Sequence, residues 1–233
     1  MKTPLEDNMA THQSISGMSD AELVERMISS HDERYDQAFR DFFDAHVATH
    51  MPGRPAIADL GCGPGLFLRD LGRRFPGSTL YGYDLTPAMI TYAEEEVRYA
   101  GPKPTLQVHD LTAEPVPLPD GALHLVNMTA ILHLLDEPLP MLAEVRRLLA
   151  PEGILFLNDW ERAPLTEYLD SRVEGEGEER QASLQRWFRL FPIHNKYTLE
   201  DWQWLLDQAG FTVRETASLR ANFRVFVATP TAA

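Results

Sequence analysis

The sequence predicts an α/β protein built on a mostly parallel sheet with helices on both faces. Short apolar runs alternate with amphipathic helical segments, at a spacing typical of such a sheet. A turn with three glycines in five positions, GCGPG at 61–65, directly follows the first of these runs. The chain has 233 residues and is 44% hydrophobic, enough for one domain with a sizeable core.

Seven apolar runs are predicted as strands, and crossover segments separate the first five of them. In chain order the runs are AIADL at 56–60, TLYGYDL at 79–85, TLQVHDL at 105–111, ALHLVNM at 122–128, GILFLND at 153–159, FTVRETA at 211–217 and NFRVFVATP at 222–230. Three of the crossover segments are clearly helical, which favours parallel strand pairs.

The N-terminal region is predicted as a tail followed by a helical cap. Residues 1–18 are polar and aperiodic, and this composition predicts disorder. Ser19 can cap a helix over DAELVERMISS, and a second helical pattern runs over 33–51. We therefore predict a cap at 19–49 and one domain at 50–233.

Two later helices carry clear end signals. Thr86 can cap a helix with Pro87 in its first turn, and Gly101 is expected to close it. TLED at 198–201 offers a capping box for a helix that ends at Gly210.

Composition narrows the class of protein. The formal charge of −14 disfavours nucleic-acid binding, which depends largely on Lys and Arg. Cys62 is the single cysteine, no apolar run has the length of a membrane span, and no signal-peptide core is visible at the N-terminus. We expect a cytoplasmic protein without a membrane or nucleic-acid partner, and we leave monomer and homodimer open.

The glycine turn at 61–65 indicates a ligand site, because ligands of open parallel sheets bind beyond the carboxyl ends of the strands. A nicotinamide dinucleotide fingerprint would need glycine at Leu66, and no P-loop lysine follows the turn. Asp59, just before the turn, suits a ligand that carries positive charge and no phosphate. A tight turn without a ligand is the alternative.

The segment IADLGCGPG resembles the first motif of the class I S-adenosylmethionine-dependent methyltransferases. Further segments resemble later motifs of that family in the same order: YGYDLTPAMI, LQVHDL, LVNMTAILHLLDEP, EVRRLLAPEGILFLND and YTLEDWQWLLDQAGF. The resemblance covers about 54–160 and 197–230. It implies a Rossmann-like sheet whose seventh strand inserts antiparallel.

The resemblance also implies a cofactor, S-adenosylmethionine, with S-adenosylhomocysteine as product. In the family, the acid at Asp84 holds both ribose hydroxyls, the acid at Asp110 contacts the adenine, and the glycines lie against the methionine part. The expected cofactor-binding set is Asp59, Gly61, Cys62, Gly63, Gly65, Asp84, Leu85, Asp110, Leu111 and Asn127. Alternatively, Asp84 supports the next helix, Asp110 is a turn residue, and Cys62 is a small packing residue.

Several family features are missing from this sequence. His124 stands where the family often has an acid at the start of strand four. Neither the double-Glu signature of protein arginine methyltransferases nor an NPPY-type motif is present, and no metal constellation stands out. These absences argue against those substrate classes, and we predict no metal.

The acceptor is expected under a mobile cover formed by 19–49 and an insertion at 161–197, over the ends of strands four and five. The cover residues we predict are Tyr35, Trp160, Trp187, Phe191, His194 and Tyr197. His133 and Asp159 are the candidate bases, needed only if the acceptor loses a proton, and His194 is a third candidate. The alternative places the aromatic residues in the core and makes the polar residues structural.

The predicted function is methyl transfer from S-adenosylmethionine to an oxygen or nitrogen of a small molecule. One alternative is an enzyme of the same fold that binds this cofactor without donating methyl, such as a cyclase or modified-cofactor synthase. The other is a nonenzymatic cofactor-binding partner subunit.

Overall fold

One seven-stranded sheet organises the computed structural model, which describes residues 18–232. The strands are β1 Ala56–Leu60, β2 Thr79–Asp84, β3 Thr105–Val108, β4 Leu123–Thr129, β5 Leu149–Trp160, β6 Phe211–Arg220 and β7 Phe223–Pro230. Their order is β3-β2-β1-β4-β5-β7-β6. Every neighbouring pair is parallel except those of β7, which runs antiparallel to β5 and β6. The predicted fold class and the antiparallel seventh strand are confirmed.

Helices connect the strands and cover the sheet. They are α1 Asp20–Ser29, α2 His31–Arg34, α3 Gln37–His46, α4 Leu66–Arg74, α5 Pro87–Glu95, α6 Pro138–Leu148, α7 Leu165–Asp170, α8 Gly177–His194 and α9 Leu199–Gln208. Short 3₁₀ turns lie at Ala48–His50 and Leu132–Leu134. The disorder predicted for 1–18 falls almost entirely outside the described residues.

Local sequence explains where most of these helices begin. Ser19 caps α1 in a capping box with Glu22, and Thr198 caps α9 in the same way with Asp201, as predicted. The helical pattern at 33–51 divides into α2 and α3, because the Asp36 side chain accepts a hydrogen bond from the backbone N–H of Phe39 and starts a new helix.

The α5 helix begins as predicted, with Thr86 at the N-cap position and Pro87 in the first turn, although the Thr86 side chain makes no capping hydrogen bond. It ends earlier than predicted, at Glu95 instead of near Gly101. Its last residues begin the acidic run at 94–96, and negative charge opposes the dipole at a helix C-terminus.

The sheet divides the core into two clusters, because successive residues of β5 point to opposite faces of the sheet. Leu155 and Leu157 join a cluster with Trp202 on one face, whereas Phe156 joins the cluster on the other face. The α3 helix packs onto this second face, with the Phe39 and Phe156 rings 5.4 Å apart. The boundary at 49/50 between cap and domain stays a prediction.

Among residues 18–232, no helix has both the length and the apolar character needed to cross a bilayer.

Candidate functional site

The glycine turn after β1 has left-handed backbone at all three glycines, with φ of 80° at Gly61, 52° at Gly63 and 74° at Gly65. This conformation favours glycine, because a Cβ is strained there. A Cβ at Gly65 would also lie 2.9 Å from the Cβ of Ala93, whereas a Cβ at Gly63 would meet nothing within 4 Å. The turn is therefore closed on its Gly65 side and open at Gly63.

Asp84 lies at the carboxyl end of β2, beside this turn. One carboxylate oxygen accepts from the N–H of Gly63 at 2.8 Å, and the other accepts from the N–H of Thr86 at 2.9 Å. Burial raises the pKa of Asp84, and these backbone hydrogen bonds oppose that rise. Each oxygen keeps a lone pair with which it can accept from a further donor.

Asp110 follows β3 and lies in a loop, because that strand ends at Val108 and is shorter than predicted. Its Oδ1 accepts from the backbone N–H of Thr112 at 2.8 Å and from the Thr112 hydroxyl at 2.7 Å. The carboxylate therefore has a fixed orientation.

A first cavity brings most of the predicted cofactor residues together. Of that set it is lined by Gly61, Cys62, Gly63, Asp84, Leu85, Asp110 and Leu111. Tyr35, predicted for the cover, also lines it and stacks on Phe67 with ring centroids 4.6 Å apart. Burial raises the pKa of Cys62 well above its usual value, so the thiol stays protonated and fits the packing role.

Asp59, Gly65 and Asn127 do not line this first cavity. Asn127 donates from Nδ2 to Oδ1 of Asp59 at 2.6 Å, and both side chains are buried. Burial raises the pKa of Asp59 to about 7 and the charge of Asp84 adds to the rise, whereas the Asn127 hydrogen bond lowers it.

A second cavity adjoins the first, since Leu23, Met27, Arg34, Thr129 and Ala130 line both. Trp160, Trp187 and His194 of the predicted cover line it, and the Trp160 and His194 rings stack with centroids 3.7 Å apart. Five arginines also line it: Arg26, Arg34, Arg172, Arg186 and Arg220. Sequence reasoning missed them, because they are scattered along the chain with no common spacing.

Phe191 and Tyr197, also predicted for the cover, line neither cavity. Phe191 packs on Tyr168 with ring centroids 5.2 Å apart. Tyr197 packs on Trp202, at 4.8 Å, against the main core. Both therefore pack against other aromatic residues, away from the cavities.

Residues 58–157 match the methyltransferase domain family. The match covers less than half of the chain and marks this segment as similar to a methyltransferase domain. The described fold agrees: a structure of a SAM-dependent methyltransferase from Aquifex aeolicus superposes with a TM-score of 0.62 at 21% identity, covering 91% of this chain and 99% of that one.

Curated relatives match part of this chain at higher identity. A malonyl-[acyl-carrier protein] O-methyltransferase from Hahella chejuensis is 34% identical over 107 residues, covering 42% of this chain and 34% of that protein. A trans-aconitate 2-methyltransferase from Escherichia coli is 34% identical over 99 residues, covering 42% and 36%. The chain thus spans less than half the length of the curated relatives it matches.

His133 and Asp159 form a buried pair with 2.7 Å between Nδ1 and Oδ1. Asp159 also accepts from the backbone N–H groups of Leu132 at 2.9 Å and Trp160 at 2.7 Å. Neither side chain lines either of the two cavities. The expectation that both face the acceptor cavity is therefore not met, and the pair instead fastens the Leu132–Leu134 turn to the end of β5.

Across residues 18–232, no group of three or more His, Cys, Asp or Glu side chains could hold a metal ion.

Proposed function

We propose that this chain is an S-adenosylmethionine-dependent methyltransferase that acts on an oxygen or nitrogen of a small molecule and releases S-adenosylhomocysteine. The observation that carries the proposal is the Asp84 carboxylate. It is held by the N–H groups of Gly63 and Thr86 on the wall of a cavity that the glycine turn and Asp110 also line.

The cavity residues fit the parts of this cofactor. Asp84 would accept from the two ribose hydroxyls, and Asp110 with the backbone of Leu111 would bind the adenine. The open position at Gly63 lets a ligand approach the main chain, which suits the methionine part. The cofactor supplies a methyl group on a sulfonium sulfur. The chain supplies binding, orientation and exclusion of water.

A small acceptor is supported by the second cavity, which lies between the N-terminal helices and the 161–197 segment. Residues from both of these segments and from the end of β4 line it. The mobility of this cover stays a prediction. The names of the curated relatives, which refer to malonyl-acyl-carrier protein and trans-aconitate, also favour acceptors of this kind.

Calorimetry with S-adenosylmethionine, S-adenosylhomocysteine and NAD tests the cofactor assignment. We expect binding of both sulfur compounds at one site and no measurable NAD binding. A methyl-labelled cofactor, followed by mass spectrometry of the products, then separates the alternatives. Binding without any S-adenosylhomocysteine formation would favour the partner-subunit alternative. Consumption of the cofactor into a product that still carries the labelled methyl group on sulfur would favour the non-donating enzyme.

The raised pKa of Asp59 predicts that the affinity for the cofactor depends on pH. Because its pKa is about 7, the carboxyl becomes increasingly ionised from about pH 6 to about pH 8. A positively charged cofactor in the adjacent cavity favours the ionised form, so binding releases a proton and affinity rises with pH. Asp59→Asn should flatten this profile. Calorimetry in two buffers of different ionisation enthalpy measures the proton directly, and equal pH slopes for both proteins would contradict the assignment.

A further inference from the structure

The second cavity is strongly basic, although the chain as a whole has a formal charge of −14. Five of the 21 Lys and Arg residues line it, against two acids, Glu33 and Glu174. The five arginines come from separate places in the fold: α1, α2, the segment after α7, α8 and the end of β6. The fold therefore concentrates cations at one point.

Three guanidinium groups surround a single indole ring. The Cζ atoms of Arg26, Arg172 and Arg186 lie 5.5, 5.5 and 5.4 Å from the centroid of Trp187. Arg172 also lies over Trp160, at 4.3 Å. These contacts are of the cation–π type and use no N–H donor, although Nη2 of Arg172 donates to the carbonyl of Ala221 at 3.0 Å.

The cavity arginines lack the ion pairs that arginines make elsewhere in this protein. Arg147 pairs with Glu144 at 2.7 Å and with Asp120 at 2.6 Å, and Arg224 pairs with Glu161 at 2.9 Å. In the described chain, none of the five cavity arginines has a carboxylate oxygen within 4.0 Å. Glu33 and Glu174 act on these arginines only from beyond that distance, so no carboxylate of the described residues pairs directly with the five guanidinium groups.

The pKa shifts of the cavity arginines also favour a bound anion. The pKa of the guanidinium is lowered at Arg26, Arg34, Arg172 and Arg220, mainly because burial disfavours the charged form. The charge of a neighbouring arginine lowers it further at each of these positions. A bound anion would relieve both effects.

Four residues that line the same cavity carry buried donors without a hydrogen-bond partner among the described residues. Nε of Arg172, Nε of Arg186, and the indole N–H groups of Trp160 and Trp187 are buried without a hydrogen-bond partner among the described residues. All four atoms are donors, and all four residues line the cavity. Buried donors without acceptors are costly, so a ligand rich in acceptor oxygens would stabilise this arrangement.

We propose that the second cavity binds the carboxylate of a small organic acid, and that this acid is methylated on a carboxylate oxygen. The inference rests on the proposed function and names its substrate class. A carboxylate matches the planar fork of a guanidinium and supplies acceptors for the indole donors. Arg34, Thr129 and Ala130 line both cavities, so an acid held here lies next to the cofactor cavity.

The reaction then balances without a general base. A lone pair of the carboxylate oxygen attacks the methyl carbon, a C–O bond forms, and the C–S bond breaks with its electron pair left on sulfur. The products are a methyl ester and a neutral thioether. No proton is transferred, because a carboxylate has none to lose at neutral pH. This agrees with the burial of His133 and Asp159 away from both cavities.

The inference is tested by measuring how tightly carboxylic acids and their uncharged amides bind to the full chain saturated with S-adenosylhomocysteine. Calorimetry would compare benzoate, cinnamate, succinate and itaconate with the corresponding primary amides and with phenyl phosphate. We expect at least one acid to bind about tenfold or more tightly than its amide, as expected for loss of a charge-assisted hydrogen bond. Phenyl phosphate binding more tightly than every acid, or amides matching their acids, would overturn the inference.

Two variants and a matched control locate the site. Arg172→Met and Arg220→Met should each weaken acid binding about tenfold while leaving S-adenosylhomocysteine affinity unchanged. Arg214→Met, an exposed arginine on the same strand as Arg220 and outside this cavity, should change neither. Equal effects of all three variants would overturn the site assignment.

Product chemistry separates this inference from the proposed function. With ¹³C-methyl cofactor, we expect an O-methyl resonance that base hydrolysis converts to methanol, as for an ester. A methylated product that resists base would overturn the inference and leave the methyltransferase function standing. Failure of S-adenosylmethionine to bind at all would remove the proposed function itself.

Discussion

Asp84→Ala is expected to weaken S-adenosylmethionine binding by about 2–3 kcal/mol, or roughly 30- to 150-fold in Kd. The proposed reason is that two ribose hydroxyls lose a charged acceptor. The carboxylate is already fixed by the N–H groups of Gly63 and Thr86, at 2.8 and 2.9 Å, so it is oriented before the cofactor arrives. Calorimetry of the purified variant measures the loss.

The same two N–H groups make a control necessary, because the alanine variant leaves them without the carboxylate. Thermal unfolding should show that the variant is folded at the temperature of the titration. Asp84→Asn, which keeps one acceptor oxygen, should fall between the wild type and the alanine variant. Asp120→Ala removes an exposed carboxylate and should bind the cofactor as the wild type does. An unchanged affinity in Asp84→Ala would rule out the ribose role.

Asp159→Ala is expected to lower the free energy of unfolding by about 3–5 kcal/mol, the usual cost of removing one partner of a buried pair. Asp159 is fully buried and accepts from Nδ1 of His133 and from the backbone N–H groups of Leu132 and Trp160. These donors would lose their acceptor together. Urea denaturation measures the change, and Asp207→Ala, at an exposed position in α9, should change stability by less than about 0.5 kcal/mol.

This result also distinguishes a structural acid from a catalytic base. A base in contact with the acceptor would reduce turnover on replacement while stability stayed near that of the wild type. A structural role predicts the opposite result. The variant loses stability, and the fraction of protein that remains folded keeps its cofactor affinity. An Asp159→Ala protein as stable as the wild type would contradict the structural role.

Local patterns were sufficient for the sheet, and the family resemblance supplied most of the predicted residues that line the first cavity. The predicted strand over 56–60 matches β1, because an apolar run ending at a glycine turn is decided by neighbouring residues alone. Asp84 and Asp110 were expected from the family resemblance, and their places at and just after the ends of two parallel strands agree with it, since the carboxyl ends of such strands meet at one edge. Asp59 and Asn127 were harder, because their mutual hydrogen bond joins β1 to β4 and turns both side chains into buried partners.

The positions of the other candidate site residues depend on tertiary packing, which the sequence pattern does not show. Trp187 and His194 are seven residues apart on α8 and share its buried face, whereas Tyr197 lies beyond the helix and packs on Trp202. The cavity arginines come from segments up to about 190 residues apart, so only the folded chain brings them together. His133 follows the end of β4 and Asp159 lies near the end of β5, and that placement alone could not show that they bond to each other.

The central claim is that the Gly61–Gly65 turn, Asp84 and Asp110 form one S-adenosylmethionine site. A crystal structure of the full chain with S-adenosylhomocysteine tests it most directly. We predict one ligand in the first cavity, with both ribose hydroxyls on the Asp84 carboxylate, the adenine beside Asp110 and Leu111, and the homocysteine along Gly61–Gly63. A ligand bound elsewhere, or ribose hydroxyls that make no contact with Asp84, would contradict the account.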